Sequence, residues 1–89
     1  MATERNFKWV IWEADDSVKT EVEAQANLAL DKNDTEREIS YHIKKYFDEN
    51  YSPNWHCVVG KDFASYVTYS SKHYLFFYIG QLAILLYKL

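Results

Sequence analysis

The sequence predicts an α+β fold in which two helices pack on an antiparallel sheet. In the first half of the chain, apolar residues recur every three or four positions, as they do on the buried face of a helix. The second half contains short runs of β-branched and aromatic residues between turn signals, and it holds both glycines and the single proline. Helical segments followed by strand segments are typical of an α+β domain.

The length of 89 residues indicates one domain over 1–89, in which the polar residues 1–6 are expected to be flexible. A chain of this size buries only roughly 60–65% of its unfolded surface. Yet 48% of the residues are hydrophobic and 18% are aromatic, which is more apolar side chain than a small monomer covers easily. We therefore expect self-association.

Charge and cysteine content argue against several classes of protein. Ten basic and thirteen acidic residues give a formal charge of −3, without the positive field that binds phosphate backbones, so no nucleic-acid partner is expected. Cys57 is the single cysteine, which excludes an intrachain disulfide and fits a reducing compartment such as the cytoplasm.

The first element is predicted to be an edge strand over residues 7–12, a run of strand-like length that mixes aromatic and β-branched residues. Trp9 and Trp12 are three positions apart, so a regular strand does not place them on the same face. One of the two is therefore expected to face solvent or a partner.

Two helices are predicted next, over residues 15–32 and from Thr35 to about Asn50. The first has a buried stripe of spaced apolar residues: Val18, Val22, Ala26, Ala29 and Leu30. In the second, Thr35 and Glu38 match a capping box, and the buried stripe is Ile39, Ile43 and Phe47. Pro53 then ends the helical pattern.

Four strand-like runs follow, over residues 55–60, 63–69, 73–79 and 82–88. Their separators, at 60–62, 70–72 and 80–81, are short and contain glycine, serine or polar residues. Neighbouring runs are therefore expected to be antiparallel, if their connections are hairpins.

Residues 42–87 resemble the eight-kilodalton dynein light chains almost without gaps, whereas the resemblance is weaker before Asp34. The matching motifs are His42-Ile43-Lys44-Lys45, Phe47-Asp48, Trp55-His56-Cys57, Val59-Gly60, Phe63-Ala64-Ser65-Tyr66-Val67-Thr68, Lys72-His73, Phe77-Tyr78, Gly80-Gln81 and Ala83-Ile84-Leu85-Leu86. Together these motifs are far more specific than any one short pattern.

The resemblance implies a two-fold dimer in which the strand 63–68 of each protomer joins the partner's sheet. It also implies two identical grooves at the dimer interface, each binding an extended, often Thr-Gln-Thr-like, segment of a disordered partner as an added strand. The implied function is a non-catalytic adaptor whose clients include the dynein intermediate chain. Its implied location is the cytoplasm, on the dynein complex and microtubules.

Site residues are carried over from the resemblance position by position. The implied peptide groove is Glu36, Arg37, Phe63, Ala64, Ser65, Tyr66, Val67, Thr68, Tyr69, Tyr74, Tyr78, Ala83 and Leu85. The implied dimer interface is His56, Lys61, Phe63, Ser65, Tyr66 and Val67. Ala64 replaces a glycine and Tyr69 a histidine of the family pattern, so partner preference is expected to differ.

Other classes of function have less support in the sequence. His56 and Cys57 are adjacent on a strand and so point to opposite faces, which does not suit a base and its nucleophile, and no other catalytic set is present. No zinc-ligand spacing occurs, so neither metal nor cofactor is predicted. A membrane-surface protein using residues 74–89 remains an alternative, although that run is shorter than the roughly 20 residues of a membrane span and contains Gly80-Gln81.

Overall fold

The computed structural model describes residues 5–61 and 73–88, and the predicted strand 63–69 lies outside these ranges together with its groove and interface residues. Within the described ranges, the elements are β1 (Phe7–Glu13), α1 (Asp16–Lys32), α2 (Glu36–Asn50), β2 (Trp55–Lys61), β3 (Tyr74–Ile79) and β4 (Leu82–Lys88). These bounds agree with the predicted ones to within a residue or so at each end. The α+β prediction is confirmed.

The four described strands form an antiparallel sheet in the order β1-β3-β4-β2. Among these four strands β1 lies at an edge, as predicted, and a two-residue turn at Gly80 and Gln81 joins β3 to β4. The apolar run at the end of the chain thus forms two paired strands. No helix in the described ranges is long and apolar enough to cross a membrane.

A β-bulge in β1 corrects the prediction for its tryptophans. Trp9 pairs with Phe77 and Ile11 with the adjacent Phe76, so Val10 is an extra residue in β1. The extra residue turns Trp12 to the same face as Trp9, and the two ring centroids lie 5.8 Å apart. The prediction that they do not share a face was wrong, although Trp12 is 43% exposed, as expected for one of the pair.

The helices cover one face of the sheet and enclose the core. The predicted apolar stripes are buried there except for Leu30, which is partly buried at the margin of the core. The sheet residues that complete the core are Trp55, Leu75, Phe77, Ile84 and Leu86. Thr35 caps α2 through its Oγ1, which accepts a hydrogen bond from the Glu38 amide at 3.2 Å. This is the helix-capping half of the predicted capping box.

Arg5 connects the N-terminal segment to α1. Its guanidinium donates to Asn27 Oδ1 at 3.1 Å and to Asp31 Oδ1 at 2.8 Å. The other part of the predicted flexible segment, residues 1–4, lies outside the described ranges.

Candidate functional site

The face of the sheet that points away from the helices is here called the distal face. Side chains alternate along a strand, and Leu75, Phe77, Ile84 and Leu86 pack in the core, so their neighbours point the other way. On the described strands β2, β3 and β4, the residues with side chains on the distal face include His56, Val58, Tyr74, Phe76, Tyr78, Ala83, Leu85 and Tyr87. The four predicted groove residues that lie on the described strands, Tyr74, Tyr78, Ala83 and Leu85, are among them.

Side chains in the middle of the distal face are buried, whereas Val58 on β2 is exposed. Tyr74, Ala83 and Leu85 are buried, and Tyr78 is partly buried beside Ala83, its pairing partner. Val58, which pairs with Leu85, is 43% exposed. An exposed valine in a sheet face made largely of aromatic and aliphatic side chains is apolar surface available to a partner.

The two predicted interface residues that are described both belong to β2. The His56 ring stacks on Tyr87 of β4, with centroids 5.3 Å apart and an interplanar angle of 25°. Lys61 is exposed at the end of the strand, where it lines a cavity of about 410 Å³ together with Tyr78, Gly80 and Gln81. Among the described strands, only β4 pairs with β2. The opposite edge of β2 has no partner among them.

Backbone N–H groups at the start of α2 have no hydrogen-bond acceptor within the helix. The Glu38 N–H donates to Thr35 Oγ1. The N–H groups of Glu36 and Arg37 also belong to the first turn, and no acceptor within the helix reaches them. Both side chains are exposed. Such an end favours an oxygen acceptor from a ligand. The Arg37 side chain lines the groove between the two helices.

Cys57 and His56 point to opposite faces of β2, as predicted. The Cys57 side chain packs against the core, and burial raises the pKa of its thiol to about 12. A thiol with such a pKa is protonated at neutral pH and is a poor nucleophile. In residues 5–61 and 73–88, no group of three or more His, Cys, Asp or Glu side chains is placed to hold a metal ion.

Sequence reasoning missed a polar connection between the helices. Gln25 is only 8% exposed; its amide nitrogen donates to Glu21 at 3.0 Å, and its oxygen lies 3.0 Å from His42 Nε2. The sequence did offer one signal for this connection: Gln25 is a polar residue within the apolar stripe of α1, one turn after Val22. The connection lies in an open groove of about 1150 Å³ whose rim includes Leu28 and Tyr41.

Comparison with known proteins identifies a matching family and a matching fold. The family model described as "Dynein light chain type 1" matches residues 8–89. Two solved structures of the dynein light chain-like domain of the Fasciola hepatica calcium binding protein FhCaBP2 have the same fold. The native form has a TM-score of 0.80 and 17% identity, covering 97% of this chain and 93% of that one. The mercury derivative has a TM-score of 0.76 and 18% identity, covering 99% and 96%.

Proposed function

Because the chain belongs to the dynein light chain family, we propose that it is a non-catalytic homodimeric adaptor that binds extended segments of disordered partners by strand addition. The family match over residues 8–89 is the observation that carries this proposal. Strand addition supplies affinity through backbone hydrogen bonds and selects sequences through pockets for alternate side chains.

The described part of the sheet supports the dimer. The edge of β2 remote from β4 can receive a strand, and Val58 exposes apolar surface beside it. In the proposed dimer, residues 63–68 of each protomer add to this edge of the partner, and His56 and Lys61 lie at the interface. The peptide then adds beside the crossing strand, where Phe63, Ala64, Ser65, Tyr66, Val67, Thr68 and Tyr69 would contact it.

The start of α2 supports recognition of a glutamine in the bound segment. In the proposed complex, the glutamine side-chain oxygen accepts from the free amides of the first turn, and its amide nitrogen donates to the exposed Glu36 carboxylate. A Thr-Gln-Thr-like segment supplies this group between two side chains that suit an extended strand.

The proposed clients are the dynein intermediate chain and other disordered proteins, and the proposed location is the cytoplasm, on the dynein complex and microtubules. Two sites on one dimer would pair two client chains, and a client that is itself paired gains affinity from its second contact. Pull-down from cells would distinguish a motor subunit from a hub outside the motor. Calcium binding is a property named for FhCaBP2 and forms no part of this proposal.

Calorimetric titration with a Thr-Gln-Thr peptide tests the site. We expect Glu36→Ala to weaken binding by about 1–3 kcal/mol, the usual cost of losing a hydrogen bond to a charged group. Glu49→Ala, at the exposed other end of the same helix, is the matched control and should bind as the unaltered protein does. Equal binding by both variants would reject the role of Glu36, and no binding by the unaltered protein would reject the groove.

A further inference from the structure

Trp9, Trp12 and Lys19 form a cluster at the helix side of the sheet, on the opposite side from the distal face. The indole rings of Trp9 and Trp12 meet edge to face, with an interplanar angle of 70°. The Lys19 ammonium lies 3.7 Å from the centroid of the Trp12 ring and 5.2 Å from that of Trp9. Two aromatic rings, as in two walls of an aromatic cage, thus contact one cation.

The Trp9 wall of this cluster is held by the fold and not by the lysine, and the Trp12 ring packs edge to face against it. The bulge at Val10 turns both tryptophans to one face, and the Trp9 ring packs on Phe77 at a centroid distance of 4.5 Å. Glu23 of α1 accepts a hydrogen bond from Trp9 Nε1 at 2.7 Å, which fixes the ring and leaves a carboxylate beside the cluster. Trp12 is open to solvent.

Lys19 is held mainly by the two rings. No carboxylate within the described ranges forms an ion pair with its ammonium. A cation–π contact at an exposed site favours occupancy by only about two- to five-fold, so a competing cation displaces it at little cost. A primary ammonium is strongly hydrated and loses hydrogen bonds to water when it packs on a ring. A trimethylammonium group has no N–H groups and so loses none, which suits it better to an aromatic wall.

We propose that the Trp9–Trp12 cluster is a binding site for trimethylammonium groups, in which Lys19 is a resident cation that the ligand displaces. Such a group occurs on a trimethylated lysine side chain and on choline. Both sources present the same trimethylammonium cation to the two rings. The negative charge of Glu23 beside the cluster favours a cation over a neutral group of the same shape.

Indole N–H signals in a proton–nitrogen correlation spectrum test the proposal, because the chain has three tryptophans. Trp55 is 1% exposed and serves as an internal reference. The probes are tetramethylammonium, choline and a peptide carrying trimethyllysine, each at constant ionic strength. The controls are sodium, the neutral carbon isostere of choline and the unmethylated peptide.

We expect the Trp9 and Trp12 signals to shift with saturation while the Trp55 signal stays constant. Lys19→Ala vacates the cluster and should tighten binding by about two- to five-fold, and Trp12→Leu should abolish it. Lys45→Ala removes the lysine that lies 5.9 Å from the Tyr41 ring and is the matched control without effect. A response to the peptide alone, or to choline alone, assigns the source and supports the site.

Other outcomes overturn the proposal. They are an absence of saturable shifts with all three cations, equal shifts with the neutral isostere, and weaker binding by Lys19→Ala. Trp12 and Lys19 both lie outside the core, and circular dichroism of each variant verifies that it is folded. The peptide-groove variant Glu36→Ala should bind these cations normally, so this test is independent of the proposed adaptor function.

Discussion

Asp48 connects the end of α2 to the start of β2. Its Oδ1 accepts hydrogen bonds from the Asn54 amide at 3.1 Å and the Trp55 amide at 2.9 Å, while Lys44 pairs with its other oxygen. Desolvation tends to raise the pKa of Asp48, but the hydrogen bonds from Lys44 and the two amides outweigh it, so the pKa is lowered. The connection includes Ser52 and Asn54, both with positive φ, which this carboxylate helps to hold.

We expect Asp48→Ala to lower the free energy of unfolding by about 1–3 kcal/mol at neutral pH, measured by urea denaturation. Because the pKa is lowered in the folded state, the contribution of Asp48 is complete above its unfolded pKa of about 3.9 and is lost as the pH falls below it. The difference between Asp48→Ala and the unaltered protein should therefore shrink in acid. Asp34→Ala, which removes an exposed carboxylate, is the control. A loss of equal size at Asp34 would contradict this account.

Gly80 is the first residue of the β3–β4 turn and has a φ of 60°. Space is not the constraint, because a Cβ added there would meet no atom within 4 Å. The left-handed backbone alone should make Gly80→Ala destabilising by about 1 kcal/mol. Gly80→Asn should cost less, because asparagine adopts this conformation more readily. Thermal unfolding of the two variants tests the order, and a neutral Gly80→Ala would contradict it.

At the scale of elements, α1 and α2 are joined by apolar packing and by the connection from Glu21 through Gln25 to His42. Burial, and then the positive charge of Lys32, lower the pKa of His42 below its usual value. The folded protein therefore binds a proton at His42 less readily than the unfolded chain does. Lowering the pH must then favour unfolding.

We expect the contribution of His42 to stability to be complete above its unfolded pKa of about 6.5 and to decline as the pH falls through the window below it. Denaturation at one protein concentration across this window should show a shallower decline for His42→Gln. Lys32→Gln keeps the histidine but removes the nearby charge, so it should also reduce the slope. If His42→Gln retains the full slope, another group is responsible.

The elements differ in how far their sequence determines them. The stripes that include Val22 and Ile43 predicted both helices, because each turn repeats an apolar position facing the core. The bulge in β1 left no such signal, since apolar side chains occur on both faces of residues 7–12 and alternation cannot reveal an extra residue. The link from Gln25 to His42 depends on how two helices pack, which neither helix shows alone.

The residues of the candidate site also differ in how far the sequence determines their positions. The family resemblance implied that Tyr78 and Leu85 line one groove, and the pairing of β3 with β4 puts both on the distal face. That Leu85 is buried within one chain while Val58 is exposed depends on the whole sheet and could not be read from either strand. The cation cluster of Trp9 and Trp12 depends on the bulge, so it was hidden for the same reason.

At the scale of the whole molecule, the sheet formed by the four described strands has apolar surface on two edges of different character. On β1, Val10 is 54% exposed at a bulge, and a bulge with a nearby charge such as Lys8 discourages pairing with another chain. On β2, Val58 is 43% exposed in a strand whose seven residues pair in regular register with β4. A regular edge flanked by apolar surface suits association, so β2 is the edge that we expect to lie in the dimer.

Two equivalent substitutions distinguish these edges. We expect light scattering after size exclusion to give a dimer mass for the unaltered protein at micromolar concentration and neutral pH. Val58→Asp should give a folded monomer, because association would bury a carboxylate on the distal face without a partner. Val10→Asp makes the same change at a similarly exposed valine and should leave the dimer intact. Dissociation by both variants would indicate a general effect of charge, dissociation by Val10→Asp alone would place the interface on β1, and a monomeric unaltered protein would remove the basis for a groove shared by two chains.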